Sequence, residues 1–549
     1  MRRRSICAVG LLAMLAMPAV AAPVDELLHA APPDAAFVLV LRDARGHITD
    51  MRKSPFAATF PDTPLGQRLL ESPEVKKLRA AIHFVATQTD TPADSLFDDV
   101  LGDGVVFAVR KDSKQERSIL LIRPAKPEVL DRFFEKLNAL QVKSGEITAV
   151  TSHSHQGKTY TERPKARGRS DYYASRQGTF AFSSSEDEIR DFLDREPADK
   201  PSPFAVSLRE LQLESAAAVM LIQPRVLDAE IQAKLSTGTP AEQAFLGWFE
   251  STWKKLDSVA LYLRLTRDAE LGIAVRVREG ESRLAPTVAS ELWTSIPEDA
   301  FFAMAGRQTL SELVNAIHAM LPANGRQAVR GVVEQTVVPI VGKDKLPMVV
   351  DAIGPNWAMW FEPPGGEGFL PATVFAVEVQ ATNAAAGRTI ERALQYVFQT
   401  VRVMHNARGG ASLELVDEKD GAAVIHSLVG DVFPPGVRPS FAMKEGYLLI
   451  SSDAGAIRRF RKPTVPAATP EVPLARFHAT ALRAYLNAQG PRLARFVAER
   501  SGASAAEMDE RIKQMSGLLE SLDRVDVIAR TTGPTIHVAV RLVPTKPLK

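Results

Sequence analysis

Tyr173 through Gln177-Gly178-Thr179-Phe180-Ala181-Phe182-Ser183-Ser184 and, much later, Phe441 through Glu445-Gly446-Tyr447-Leu448-Leu449-Ile450-Ser451-Ser452 read as one piece of chain written twice. Each places an x-Gly pair between apolar runs at hairpin length and ends in Ser-Ser. Each then enters a short helical pattern, Ile189 to Leu193 and Ile457 to Phe460. Upstream, Pro33-Asp34-Ala35-Ala36-Phe37 leading to Arg42 recurs as Pro297-Glu298-Asp299-Ala300-Phe301 leading to Arg307. Downstream, Leu256-Asp257-Ser258-Val259 with Arg264 and Ala274-Val275-Arg276 recurs as Leu522-Asp523-Arg524-Val525 with Arg530 and Ala539-Val540-Arg541. Three blocks in one order, at offsets near 265, predict two tandem homologous lobes, 22–285 and 286–549. A helix-like stretch from Pro286 to Thr294 is expected to join them.

Periodicity places strands in the first lobe at 35–42, 104–110, 117–123, 146–153, 158–163, 170–176, 179–184, 216–222, 257–266 and 271–279. Helices are expected at 64–71, 73–88, 127–140, 186–194, 225–235 and 241–256. In the second lobe helices are expected near 309–321, 383–404, 481–499 and 505–521, with hairpins at 412–427, 439–451 and 523–543. Helices fall between groups of neighbouring strands instead of after every strand, so the fold class is α+β with mostly antiparallel sheet. Proline-rich runs after each short helix, Pro197 to Pro203 and Pro463 to Pro473, read as surface loops.

The first residues carry the order of an export signal. Arg2, Arg3 and Arg4 precede an apolar run from Ile6 to Met17, and Pro18-Ala19-Val20-Ala21 supplies small residues for cleavage after Ala21. The apolar run is short of the roughly 20 residues of a membrane span. Residues 1–21 are therefore read as a signal peptide for the general secretory route, giving a periplasmic or secreted protein. Cys7, the single cysteine, would leave with it, and no disulfide or thiolate chemistry would remain. Without the three arginines, 64 of the 67 Lys and Arg face 65 Asp and Glu, so a nucleic-acid partner loses its electrostatic motive. Hydrophobic residues at 45% and charged residues at 24% are ordinary for a globular chain, and no later stretch predicts a transmembrane helix.

No residue constellation in the chain makes an active site, and no cofactor is expected. Ser183-Ser184-Ser185 lacks the Gly-x-Ser-x-Gly setting of a hydrolase nucleophile, and Ser185 with Glu188 reads as a capping box. His153 and His155 are the most ligand-like pair. Two apart on a strand, they share a face and could reach one cation, though no third ligand stands near; His426 is the nearest counterpart in the second lobe. Asp98, Asp99 and Asp103 depart from calcium-loop spacing and read as a helix end turning into a strand. Arg163, Lys165, Arg167 and Arg169 form a basic cluster that reads as solvated charge, the alternative being contact with an anionic envelope polymer or headgroup. The repeated pairs Asp34/Asp299, Arg42/Arg307, Asp257/Asp523 and Arg264/Arg530 are expected at strand ends, in ion pairs or hydrogen bonds.

The Pro-Asp-Ala opening strand, the x-Gly hairpin with Ser-Ser and a short helix, and the closing Leu-Asp-x-Val strand pair resemble uncharacterised exported bacterial proteins classed as domains of unknown function. The resemblance implies an envelope location and carries over no catalytic residue. The reading that follows is an exported, non-catalytic envelope protein that binds another envelope protein, a peptide or an apolar ligand. The alternatives are a periplasmic hydrolase with a site assembled from distant residues, and a metal-dependent module built on His153 and His155.

Overall fold

The structure is a computed structural model that describes residues 23–53, 61, 64–89, 92, 99–100, 103–111, 116–196, 200–278, 280, 288–380, 384–409, 411–465 and 469–545. The expected signal peptide with Cys7, Asp98 and Pro286 lie outside those residues. The fold is α+β, 44% helix and 32% strand, with its strands paired antiparallel in a large sheet. Among the described residues no helix is long and apolar enough to cross a membrane. The chain divides into two compact units, the first ending at Thr49 and resuming over Lys77–Gln223, the second comprising Asp50–Lys76 and Pro224–Lys549.

The strands of the first unit are β1 (Phe37–Arg42), β2 (Gly104–Lys111), β3 (Glu116–Arg123), β4 (Thr151–His155), β5 (Lys158–Arg163), β6 (Asp171–Arg176), β7 (Thr179–Ser183) and β8 (Ala218–Ile222). They pair in the order β8-β1-β2-β3-β7-β6-β5-β4. Helix α1 (Pro127–Ser144) starts on a proline at its first turn and ends on Gly145 at φ 74°, the left-handed cap that only a residue without Cβ adopts freely. It lays Leu130, Phe133 and Phe134 on Val105, Ile122 and Phe180. Helix α2 (Glu186–Asp194) buries Ile189, Phe192 and Leu193 after the β6–β7 hairpin. That hairpin turns on Gln177 at φ 50° and Gly178 at φ 76°. Two consecutive positive φ values make the tight turn whose twist matches its strands, and glycine at the second position is what the turn demands.

The second unit holds β9 (Leu256–Leu265), β10 (Ala269–Val277), β11 (Phe302–Arg307), β12 (Ile353–Glu362), β13 (Ala372–Val379), β14 (Glu414–Asp420), β15 (Ala423–Val429), β16 (Ser440–Lys444), β17 (Tyr447–Ser451), β18 (Glu471–His478), β19 (Leu522–Thr532) and β20 (Thr535–Pro544). They pair in the order β9-β10-β20-β19-β18-β11-β12-β13-β17-β16-β15-β14. Strands β9 and β10, which the sequence reading assigns to the first repeat, belong to this unit, and β10 pairs with β20 from Ala269–Leu542 to Arg276–Thr535.

Strand β12 shows how the sheet is patterned. Its residues alternate between buried and half-buried along their whole length. On one face Ala358 and Trp360 join Ala303, Ala305, Val374, Ala376, Ala442 and Leu449 under helix α3 (Ala454–Arg459), which contributes Ala454, Ala456 and Ile457. Small residues on neighbouring strands let the helix and the indole pack close to the sheet.

Several elements differ from expectation. Residues 146–150 are not strand, and only Ile147 bridges, to Lys165. The stretch 323–352 is helical almost throughout, including a π-turn at Val333–Val337. Gly325, Gly331, Pro339, Gly342 and Pro347 interrupt its pattern, which hides it from periodicity. Of the expected connection, Glu291–Thr294 is a single 3-10 turn.

Candidate functional site

The other face of the second unit's strands carries the feature that stands out. A half-buried antiparallel sheet normally turns polar side chains outward. Here the residues opposite one another form a continuous apolar row: Leu263, Leu271, Val540, Val527, Ala475, Met304, Met359, Phe375 and Ile450, one from each of nine successive strands. Leu271 is 62% exposed and Phe375 37%, with Val540 and Ile450 similarly open. Two residues along each strand, a second row repeats the composition: Leu265, Ala269, Leu542, Val525, Phe477, Phe302 and Phe361, ending in Thr373. On the other side Leu261, Ile273 and Val538 continue it. Adjacent strands sit about 4.8 Å apart, so the central row runs on the order of 38 Å.

Helices cover the flanks and leave the middle open. Helix α4 (Ala384–Ala407) brings Ile390 and Leu394 onto Trp357, Val377 and Leu448. Its Phe398 meets Phe441, the next residue of the central row, edge-on with ring centres 4.8 Å apart. Helix α5 (Ala479–Ser501) places Tyr485 on Phe301 at 5.2 Å, in a cluster that takes in Phe302 and Phe361. The uncovered strip between them is lined by Met304, Met359, Phe375 and Ile450, and widens where Leu271, Ile273, Val538 and Leu542 are all exposed. The exposed apolar residues of this face, with half-buried ones between them, make it the candidate binding surface.

Two cavities adjoin the strip. One of about 390 Å³ is lined by Phe301, Phe361, Leu370, Pro371, Thr373, Val437 and Ser452. It shares Val437 with a larger, open one of about 720 Å³ between the loops 363–371 and 430–438, which Arg438, Arg458 and Arg459 enter with Asp431 and Asp453.

Beneath the row, on the covered face, lies a buried ionic network. Glu270, 6% exposed, accepts from Arg530 Nη1 and Nη2 at 2.8 and 2.6 Å, from Tyr262 Oη at 3.0 Å, and from Arg264 and Arg541 at 3.2 Å each. Glu471 accepts from Arg530 Nε and Arg541 Nη2, both at 2.8 Å. Burial opposes ionisation of Glu270, but the Arg530, Tyr262 and Arg541 bonds overcome it and hold the carboxyl at about 2. Burial and the Glu270 charge push Tyr262 up to about 12. His537, 3% exposed and edge-on to Tyr262 at 5.7 Å, is driven down to about 4 by burial, then by Arg264 and Arg530. This network ties β9, β10, β18, β19 and β20 together through side chains on one face.

His153 and His155 do share a face of β4, yet each is engaged separately. His153 Nε2 lies 2.9 Å from Glu162 and its ring stacks on Tyr160, while His155 Nε2 lies 2.8 Å from Asp194 at the end of α2. Among the described residues no three His, Cys, Asp or Glu are grouped to hold a metal. His426 is buried against Phe441, with Nδ1 2.7 Å from Asp417 and Nε2 3.1 Å from Gln395 on α4.

The expected capping box of Ser185 and Glu188 does not form. Ser185 occupies the cap position of α2 but makes no side-chain cap bond, and Glu188 is buried against Arg110 at 3.0 Å. The bond that shapes the turn comes from Ser183, whose Oγ accepts from Ser185 N at 2.9 Å and donates to Ser118 O at 2.7 Å. Ser451 and Asp453 repeat the arrangement at 3.0 Å, and Asp453 then caps α3 through Gly455 N. The basic cluster is not wholly solvated either: Arg163 is 3% exposed, bonded to Gln141 and over the Phe134 ring, and Lys165 pairs with Asp171 at 2.8 Å. Asp99 pairs with Lys126 at 2.9 Å, and Asp103 lies 3.9 Å from Arg45.

Of the repeated pairs, Asp34 meets Arg110 at 2.7 Å, Asp257 meets Arg276 at 2.5 Å and Asp523 meets Arg524 at 2.9 Å. Arg264 and Arg530 converge on the single carboxylate Glu270. Burial lowers the Arg42 guanidinium against the attraction of Asp25 and Glu214, and Arg307 ends β11 in an exposed position. The apolar face is not among the features expected from sequence. Its signal is legible in β20, where Val538, Val540 and Leu542 alternate with residues that are buried or half-buried on the other side.

No protein-family model matches the chain, and no curated protein matches it. Among solved structures, crystal forms IV, I and III of TP0453 are similar at 10% identity and a TM-score of 0.23 each. The matched parts cover 45%, 46% and 47% of this chain and 79%, 80% and 82% of that one.

Proposed function

We propose that this chain is a non-catalytic binding protein that takes an apolar, chain-like ligand along the open face of β9–β13 and β17–β20. The observation that carries the reading is the registered apolar row from Leu263 to Ile450. Successive rows on a strand face are about 7 Å apart, so where the flanking rows are covered the open strip has the width of a hydrocarbon chain and not of a protein surface. A ligand covering it removes exposed apolar area from water, at about 25 cal/mol per Å².

The expected architecture and compartment fit this reading. The pairing order β8-β1-β2-β3-β7-β6-β5-β4 has the same form as β18-β11-β12-β13-β17-β16-β15-β14, which supports two tandem homologous lobes, 22–285 and 286–549. The leader supports export to the envelope, and the likeness to exported domains of unknown function agrees with it. N-terminal sequencing of the protein from an envelope fraction should begin at Ala22, and a retained Met1 sinks the export reading.

Extraction of the purified chain with organic solvent, followed by mass spectrometry, tests the binding function. Stoichiometric apolar compounds that vanish when Phe375 and Met359 are both changed to Asp are the expected result. Recovery of nothing above background, together with no uptake of the uncharged dye Nile red, overturns it.

A further inference from the structure

The apolar face does not end alike on all sides. In the second row the run Phe302, Phe361 gives way to Thr373, beyond which Ser452 Oγ accepts from Thr373 N at 2.9 Å. The 390 Å³ cavity starts at this corner with aromatic and aliphatic walls and meets the 720 Å³ cavity at Val437. The surface thus passes from hydrocarbon to hydroxyl to guanidinium over a few residues.

The larger cavity lies between two touching loops and offers guanidinium donors. Its two loops meet backbone to backbone: a Cβ placed on Gly436, at φ 84°, would lie 2.3 Å from Gly368 Cα. Arg438 and Arg458 both hydrogen-bond to one carboxylate, Glu418, which leaves one of their two charges without a counterpart there. Arg438 Nε is buried with no partner among the described residues. Burying a donor of a charged group without an acceptor is unfavourable. Arg459 Nη2 pairs with Glu362 at 2.5 Å and lies 3.4 Å from Asp453. Asp453 spends its other oxygen on Gly455 N at 2.8 Å, so it does not face a ligand as a free carboxylate. Asp431 is exposed in the lining.

Resting on the reading of the apolar face as a ligand site, we infer that the cavity between loops 363–371 and 430–438 seats an anionic oxygen headgroup of that ligand, a carboxylate or a phosphate, on Arg438 and Arg458. The chain of such an amphiphile leaves the cavity past Val437 and Phe361 and lies along the row towards Met359 and Met304. Guanidinium forks match the oxygens of either group.

The test is displacement of Nile red from the purified chain by oleate, oleyl phosphate and oleyl alcohol, each below its micellar concentration. At least one anion should act at about tenfold lower concentration than the alcohol, the worth of one charge-assisted bond. Whichever anion leads identifies the headgroup as carboxylate or phosphate. Arg458→Glu and, separately, Arg438→Gln should abolish that advantage and leave the alcohol unchanged, while Arg458→Lys keeps most of it, with melting curves showing each variant folded. Equal displacement by all three compounds, or an advantage that survives both Arg458→Glu and Arg438→Gln, overturns the headgroup assignment alone. Failure of Nile red and of all three compounds to bind overturns the reading of the face, and the assignment with it.

Discussion

Arg530 grips Glu270 across 260 residues of chain, Nη1 to Oε1 at 2.8 Å and Nη2 to Oε2 at 2.6 Å. Glu270 is the carboxylate on which three arginines and a tyrosine meet, so its removal strands buried positive charge. Glu270→Ala is expected to cost about 3–5 kcal/mol in urea unfolding, because breaking one side of a buried ion pair leaves the other uncompensated. A loss under 1 kcal/mol shows the network to be dispensable.

The same carboxyl sets an acid limit. Its folded value of about 2 lies below its ordinary 4.5, so its contribution is complete above about 4.5 and is lost as pH falls towards 2. The gap is on the order of 3 kcal/mol. Melting temperatures of the chain and of Glu270→Gln between pH 2 and 6 should converge at the acid end, separate as pH rises to about 4.5 and keep a constant gap above it.

His537 acts in a different window. Its folded value of about 4 lies below 6.5, so the unfolded chain binds a proton first and stability falls as pH drops from 6.5 to 4. His537→Phe should flatten the stability curve in that interval. An unchanged slope there means the imidazole does not stay neutral in the folded protein.

Charge on the two faces of one strand should have opposite consequences. Leu271→Asp, on the open row, is expected to leave the melting temperature within a few degrees while weakening Nile red uptake by tenfold or more. Ala274→Asp, fully buried on the other face of β10, should unfold the unit. Equal stability losses would mean that Leu271 is part of a closed core.

Gly436→Ala meets both a positive φ and the Cα of Gly368, neither of which it can satisfy. A loss of about 1–3 kcal/mol is expected, with headgroup selectivity falling before Nile red binding does.

The x-Gly hairpins were legible from sequence because Gln177-Gly178 and Glu445-Gly446 carry their geometry locally, in two consecutive left-handed residues. Helices Ala384–Ala407 and Ala479–Ser501 were legible as long periodic runs. The helical stretch 323–352 was not, since its glycines and prolines imitate loop punctuation. The Glu270 network and the open row were hidden for a common reason. Both consist of residues from strands far apart in the chain, and only the pairing register brings Leu271, Val540, Met359 and Phe375 into line. Strand β10 reads as simple alternation, and nothing local says that its outward leucine and isoleucine continue across eight neighbours. After the first hairpin Ser185 takes the expected cap position without the expected bond, because Ser183 makes the contact that fixes the turn.

The ladder between β10 and β20 also sets an order of events. β10 acquires its second partner only when residues 535–542 exist, and β18 likewise waits for β19 at 522–532. A chain emerging from its amino end therefore carries an unpaired edge bordered by Leu271 and Ile273 from the emergence of β10 until residues 535–542 follow, a template for association with other chains. The last two strands are the closure of the second unit, and a product truncated at Ser521 should aggregate instead of persisting as a smaller folded protein.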